Sequence, residues 1–423
     1  MSTAAASFRV NAFRMGWYRG GLGRLVWTSP VYPGHKQSAP VLVASATNTM
    51  AARWSPSLTI DTNTWTPGDY LLRLEGVGHQ EQYVPLTVRA ASAVGAIVIV
   101  NAVTTWQAYN VWGCCDLYEG GNGSFATRAR AVSFDRPYIH DSGAGYFISR
   151  ELGVVAEAER LGLKLDYVTD IDLHAIPNLL RGARAVISLG HDEYWSPQMR
   201  TAVTAARDAG TNLAFFGANA MFRRIRLAPT ALGPNRLEIN YKDATEDPLY
   251  GHDNPAVTTD WPAPPAANPE SRVIGAQYGC FPSGPRSPGV VAAPSNWLFG
   301  GVTVVQGEKL PGLIGPELDS VQLAYPTPRP IEVILHSPVN CPYNSPTHAD
   351  ATYYVAHSGA GVFDAGTIDW VCAVQNACGE RVHGPTFSVV RAITDNLLRA
   401  FALGPAGRAH PAHDNLAALH ITG

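Results

Sequence analysis

Residues 96–100 read Ala-Ile-Val-Ile-Val, five apolar side chains with no polar residue between them. A strand with one wet face alternates apolar and polar residues. An unbroken apolar run of this length therefore belongs in a parallel sheet covered on both faces. Further along the chain residues 185–189 read as another buried run, and residues 165–168 and 212–216 as strands. Between them lie helical stretches. Residues 145–161 place Ile148, Leu152 and Val155 on one face, and Ser196-Pro197 opens a second helix whose inner face carries Met199, Val203 and Ala206. Serine accepts from the free N–H groups of a first turn and proline fits its fixed φ, so this pair reads as a helix start. Alternation of strand and helix predicts a doubly wound α/β domain. The pattern resumes at 331–335 and 353–363. A last helix over 387–403 turns Val390, Ile393, Leu397 and Phe401 inward.

The chain before this core has a different texture. Phe8, Val10 and Ala12 alternate, as do Tyr70, Leu72 and Leu74, and then Val84, Leu86 and Val88. Turn signals such as Gly20-Gly21, Pro33-Gly34 and Pro67-Gly68-Asp69 are dense between them. Short alternating strands with frequent turns predict an immunoglobulin-like β-sandwich. The expected division is a sandwich over 1–92, an α/β domain over 93–405 with a long insertion at 227–296, and a loosely held tail over 406–423. Trp261, Tyr278 and Phe281 mark the insertion as ordered rather than a linker.

Composition narrows the function classes. Among 423 residues the formal net charge is -3 with 31 Lys and Arg against 34 Asp and Glu, which leaves no basic footprint for nucleic acid or anionic lipid. No apolar run is long enough for a helix to cross a bilayer. The opening MSTAAASFRV shows no signal peptide and enters a strand pattern at once, as though an export segment preceded it. The compartment stays open, cytoplasmic or secreted. Six cysteines, with Cys372 and Cys378 close together, suit disulfides, and no Cys-x-x-Cys pair supports structural zinc.

Chemistry-bearing residues follow directly on the predicted buried strands, where open α/β sheets bind ligands. Past residue 100 comes Asn101 to Gly121, with Trp106, Tyr109, Trp112 and Tyr118. Past residue 189 comes GHDEYWSP, with His191, Asp192 and Glu193. Past residue 216 comes GANAMFRR, with Asn219. Glu317 and Asp319 stand in a fourth segment, PGLIGPELDSV. Each has a bland alternative: packed aromatics, carboxylates capping a helix, an asparagine capping a turn, solvated acids. Cys114 or Cys115 could serve as a nucleophile, although a structural role suits them better.

The segments TWQAYNVWG, SFDRPY, GHDEYWS, GANAMFRRIR, GPNRLEINYKDA, PGLIGPELD and SGAGVFDAGTIDWVCA succeed one another in a fixed order. Together they resemble the C-terminal domain of the N,N-dimethylformamidase beta (large) subunit family, and FRVNAFRMGWYRGGLGRLV resembles the sandwich before it. The resemblance implies a class I glutamine-amidotransferase-like α/β fold without the cysteine nucleophile. It also implies a mononuclear iron (Fe3+) amidohydrolase with two tyrosines and one glutamate on the metal. Carried over, the metal ligands are Tyr109, Tyr118 and Glu193, and the polar catalytic groups are His191, Asn219 and Glu317. Phenolate and carboxylate oxygens suit a hard cation. The substrate implied is a small-molecule amide, with room for a homo-oligomer or a small partner subunit. The competing expectation is a non-catalytic extracellular module whose pocket binds carbohydrate or peptide.

Overall fold

The computed structural model describes residues 1–78, 80–342 and 347–422. The N-terminal region forms an antiparallel sheet from β1 (Ser7–Met15), β2 (Gly23–Thr28), β3 (Gly68–Gly76) and β4 (Gln80–Val88), in the order β2–β1–β3–β4, with Tyr32–Pro33 added beside β1. Phe8, Val10 and Ala12 are buried, as their alternation predicts. On β3 the simple alternation fails, because Leu71 is buried alongside Tyr70 whereas Leu72 and Leu74 are only half-buried. The cause is packing on a second face: Leu71 and Met15 join the apolar core of the α/β region. An ion pair between Arg14 and Glu159, at 2.6 Å, fastens the same contact. Val41–Ala44 and Thr49–Ala51 form a separate antiparallel pair.

A mixed sheet of seven strands forms the centre. Its members are β5 (Ile97–Asn101), β6 (Leu165–Thr169), β7 (Ala185–Gly190), β8 (Asn212–Gly217), β10 (Ile331–Pro338), β11 (His348–Val355) and β12 (Gly361–Asp364). A short strand outside this sheet, β9 (Leu318–Ser320), pairs with Gln277–Cys280. The order across the sheet is β6–β5–β7–β8–β12–β11–β10; β6 through β12 run parallel, and β11 and β10 reverse in turn. The chain steps from β5 outward to β6, then back across β5 to β7. The C-terminal ends of β5 and β7 therefore flank a point where the winding changes direction.

Both faces of this sheet are dry. Ile97, Ile99, Ile187, Leu189, Ala214 and Phe216 pack with α3 (Leu152–Arg160), α6 (Trp370–Val374) and α7 (Thr386–Leu403). Val98, Val100, Val186, Leu213 and Phe215 pack with α5 (Pro197–Asp208) through Met199, Val203 and Ala206. Burying each such side chain contributes roughly 1.5–3 kcal/mol before conformational entropy is set against it, which is why the apolar runs decide the fold. Ser196 caps α5 as its sequence predicts, accepting from the Met199 N–H.

The helix expected over 145–161 is instead two, α2 (Gly145–Arg150) and α3, and Ile148 is exposed. Glu151 breaks the run. Its buried carboxylate accepts from the Asn101 amide, the Ala102 N–H and the Trp106 indole, so its backbone leaves helical geometry at φ -132° to deliver that side chain. The tail is another correction. Ala406, Ala412, Leu416 and Ile421 are buried, and the Asn415 amide pairs with both the N–H and the C=O of Val333 at 2.9 Å. The tail thus covers β10, the strand at the sheet edge, and satisfies its unpaired backbone groups. Within 227–296, Trp261 is buried, Tyr278 half-buried and Phe281 exposed. Disulfides join Cys280 to Cys341, Cys372 to Cys378, and the neighbours Cys114 and Cys115. Among the described residues no helix is long and apolar enough to cross a membrane.

Candidate metal and acid–base site

The site is assembled from the loops past β5, β7 and β8. Directly after β5 comes the short helix α1 (Val103–Ala108), with Tyr109 as the residue that ends it. Its first turn is held from outside: Asp170, at the start of α4 (Asp170–Ala175), accepts from the Thr104 N–H and hydroxyl. The next hydroxyl, Thr105 Oγ1, accepts from the Glu193 N–H at 2.9 Å and so ties α1 to the loop past β7. Tyr118 is set by a turn in which Asp116 accepts from the N–H groups of Tyr118 and Glu119, at 2.7 and 2.8 Å.

Two glycines make the approach possible. Gly190 ends β7 at φ +58°, and a Cβ there would meet the Arg150 carbonyl oxygen at 2.4 Å; on Gly217, which ends β8, it would meet the Gly190 oxygen at 1.9 Å. A side chain on Gly217 would force the ends of β7 and β8 apart, and one on Gly190 would push away the end of α2. The backbone instead turns at once into His191, Asp192 and Glu193 on one strand and Asn219 on the other, with Asn219 at φ +56°. Asparagine tolerates that left-handed conformation better than most residues.

Three oxygens meet at this point. Tyr109 Oη lies 2.7 Å from Tyr118 Oη and 2.7 Å from Glu193 Oε2, and Tyr118 Oη is 3.0 Å from both Glu193 oxygens. The two phenol rings stack at 4.5 Å. A second group adjoins them. His191 Nε2 is 3.4 Å from Glu193 Oε2 and 3.2 Å from Glu317 Oε2, and Asn219 Nδ2 donates to Glu317 Oε2 at 2.7 Å. All six residues expected from the sequence therefore stand in one contiguous cluster. Asp319 is also present, its Oδ1 accepting from the Asn219 N–H at 2.9 Å. Asp192 faces away, accepting from Ser188 and from the Trp195 indole, and plays a structural part.

The electrostatics follow from burial and neighbours. Burial first, and then the Glu193 charge, raise both phenols well above the usual tyrosine range, so each keeps its proton unless a cation displaces it. Glu193 shows the opposite balance. Burial disfavours its charge, yet His191, Lys242 and Arg223 overcome this and hold its carboxyl well below the ordinary range. Burial also opposes the His191 imidazolium, but Glu317 and Glu193 prevail and push its pKa up to about 10. Asp319, buried and beside other acids, is pushed up to about 8.

Three members escaped sequence reasoning. Arg223 Nε lies 3.1 Å from Glu193 Oε1, and its guanidinium also pairs with Asp260. Tyr194 donates to Tyr118 Oη at 2.9 Å, and the buried Lys242 donates to Tyr194 Oη at 2.6 Å with its Nζ 3.4 Å from the Tyr118 ring centroid. Each falls inside a quoted segment (FRR, HDEYW, NYKDA), but only the fold shows that these segments adjoin: Tyr194-Trp195 pairs with Arg223-Arg224, and Lys242 bonds Tyr194. Cys114 and Cys115 are bonded to each other, so neither offers the thiol nucleophile considered from the sequence.

A family model described as N,N-dimethylformamidase beta subunit-like, C-terminal, matches residues 9–380. The chain belongs to that family. The match begins inside β1 and so spans the N-terminal sheet as well as the central one. All six clustered residues lie within the matched span, and membership relates the chain to amide-hydrolysing enzymes. No curated protein sequence matches the chain.

Proposed function

We propose that Tyr109, Tyr118 and Glu193 hold one hard cation, ferric iron, and that the protein hydrolyses the C–N bond of a small amide beside it. The supporting observation is the triangle of oxygens. Metal–oxygen bonds of about 2.0–2.1 Å in octahedral geometry place neighbouring ligand oxygens roughly 2.9 Å apart, and the separations here are 2.7 to 3.0 Å. The donor set is also right in kind, since phenolate and carboxylate are hard anionic ligands. Arg223, which contacts a Glu193 oxygen, orients that carboxylate in the manner of an outer-shell partner. The same reading takes the central sheet as a glutamine-amidotransferase-like domain that works without a cysteine nucleophile. The N-terminal sheet is then the counterpart of an immunoglobulin-like sandwich.

When bound, the metal supplies Lewis-acid polarisation of the amide carbonyl. The remaining steps fall to the residues around it. Glu317 is the least enclosed carboxylate of the cluster, its side chain 12% exposed, and it serves as the base that takes a proton from the attacking water. The amide of Asn219 donates toward the carbonyl oxygen as negative charge gathers there. His191, kept protonated by Glu317 and Glu193, passes the Nε2 proton to the departing nitrogen. A C–O bond forms, the C–N bond breaks, and the products are a carboxylic acid and an amine. His191 and Glu193 are both buried, which keeps bulk water from competing.

The test is amine release from a panel of small N-substituted formamides and acetamides by iron-loaded protein. Turnover that falls about 10²–10⁴-fold in His191→Asn supports the reading. Iron-loaded protein that cleaves no amide of the panel contradicts it.

A further inference from the structure

A second group of metal-ligating side chains lies away from this cluster, on the antiparallel pair β10 and β11. His336 on β10 stands directly opposite Asp350 on β11, and His348 precedes Asp350 by two residues. Side chains alternate along a strand, so His348 and Asp350 share one face of β11, and cross-strand partners share a face as well. Three potential ligands are thus presented together by a rigid part of the sheet. His336 Nδ1 lies 2.7 Å from Asp350 Oδ1 and His348 Nε2 lies 3.2 Å from Asp350 Oδ2; one ligand atom from each residue falls within 4.8 Å of the others. The imidazole rings are 4.7 Å apart between centroids.

From this we infer that His336, His348 and Asp350 form a site for a divalent cation of borderline softness, zinc being the best match. Two imidazole nitrogens and one carboxylate oxygen are a donor set that suits zinc and differs from the all-oxygen set proposed for iron. Bonds of about 2.0–2.2 Å in a tetrahedron separate ligand atoms by roughly 3.4 Å, within the 4.8 Å that encloses one ligand atom from each residue; the 2.7 Å and 3.2 Å contacts run to different Asp350 oxygens, so a cation would gather both rings about one carboxylate. A second observation points to a ligand. His348 Nε2 is buried, is out of line for a hydrogen bond to Asp350, and has no other partner among the described residues. Its one close contact is thus the ion pair with Asp350, without an aligned hydrogen bond; a buried nitrogen left so is costly, and a cation at this point would satisfy it. Both histidines are partly exposed, so water can complete the coordination.

The site has a structural consequence. Asp350 Oδ2 also accepts from the Val321 N–H at 2.8 Å, and Val321 directly follows β9, the strand that Glu317 precedes. A cation on Asp350 anchors that strand from the end opposite Glu317. The inference itself does not depend on the amidase reading.

The experiment uses full-length Tyr109→Phe protein, stripped with chelator and dialysed against zinc, so that the first site is disabled. One zinc per chain, with a raised melting temperature, is expected. Adding His348→Ala or His336→Ala should remove that equivalent and the thermal shift. Failure to retain zinc, or equal retention after both histidine substitutions, overturns the proposal. Should the histidine variants not fold, X-ray absorption on zinc-loaded Tyr109→Phe protein decides: two imidazoles around the zinc support the site and a shell without imidazole overturns it.

Discussion

Arg223 shows how a single charge governs the cluster. Its guanidinium is wedged between Glu193 and Asp260, and removing it leaves the buried Glu193 carboxylate with one countercharge fewer. Outer-shell partners of metal ligands are worth about 10–100-fold in affinity. Arg223→Gln should weaken iron retention by that factor, read by competition with a chelator. Asp69 gives a prediction in pH. Burial pushes its pKa up to about 7 from 3.8, outweighing the nearby Asn101 amide and Arg14 guanidinium. A carboxyl raised on folding favours the native state while protonated, and that contribution fades as pH climbs from about 4 through 7. Asp69→Asn should therefore stabilise the protein at pH 8, by at most roughly 4 kcal/mol, and give no gain near pH 4. Urea unfolding at the two pH values checks it. Tyr109, Glu193 and Asn219 were legible in the sequence because each follows a buried strand. Arg223 and Lys242 were not, because a charged residue declares its burial only when its neighbours are known.

At the scale of elements, apolar runs and helix starts were read correctly wherever one local signal decided the outcome, as at β5, β7 and the Ser196 cap. Elements decided by distant partners were not. The break between α2 and α3 depends on Glu151 reaching Asn101 and Trp106, some fifty residues earlier in the chain. Order in the tail likewise depends on Val333, to which Asn415 bonds twice. Asn415→Ala leaves an N–H and a C=O of β10 unpaired. The expected cost is roughly 1–3 kcal/mol, seen as a lower urea midpoint with an unchanged slope. No loss of stability would mean that the tail does not cover this edge in solution.

Across the whole molecule, the winding of the sheet brings residues 109, 118, 193, 219 and 317 to one place. No helix or loop could do this alone, because Tyr109 and Glu193 are separated by β6 and its flanking helices. On the function proposed above, this convergence holds one iron. Metal analysis of the purified protein, with its visible spectrum before and after Tyr109→Phe, tests that most directly. One iron per chain and a coloured protein, through phenolate-to-iron charge transfer, are expected. Tyr109→Phe should lose iron and colour while remaining folded. Protein that stays colourless and binds no iron when it is supplied, or that keeps its colour after Tyr109→Phe, would contradict it.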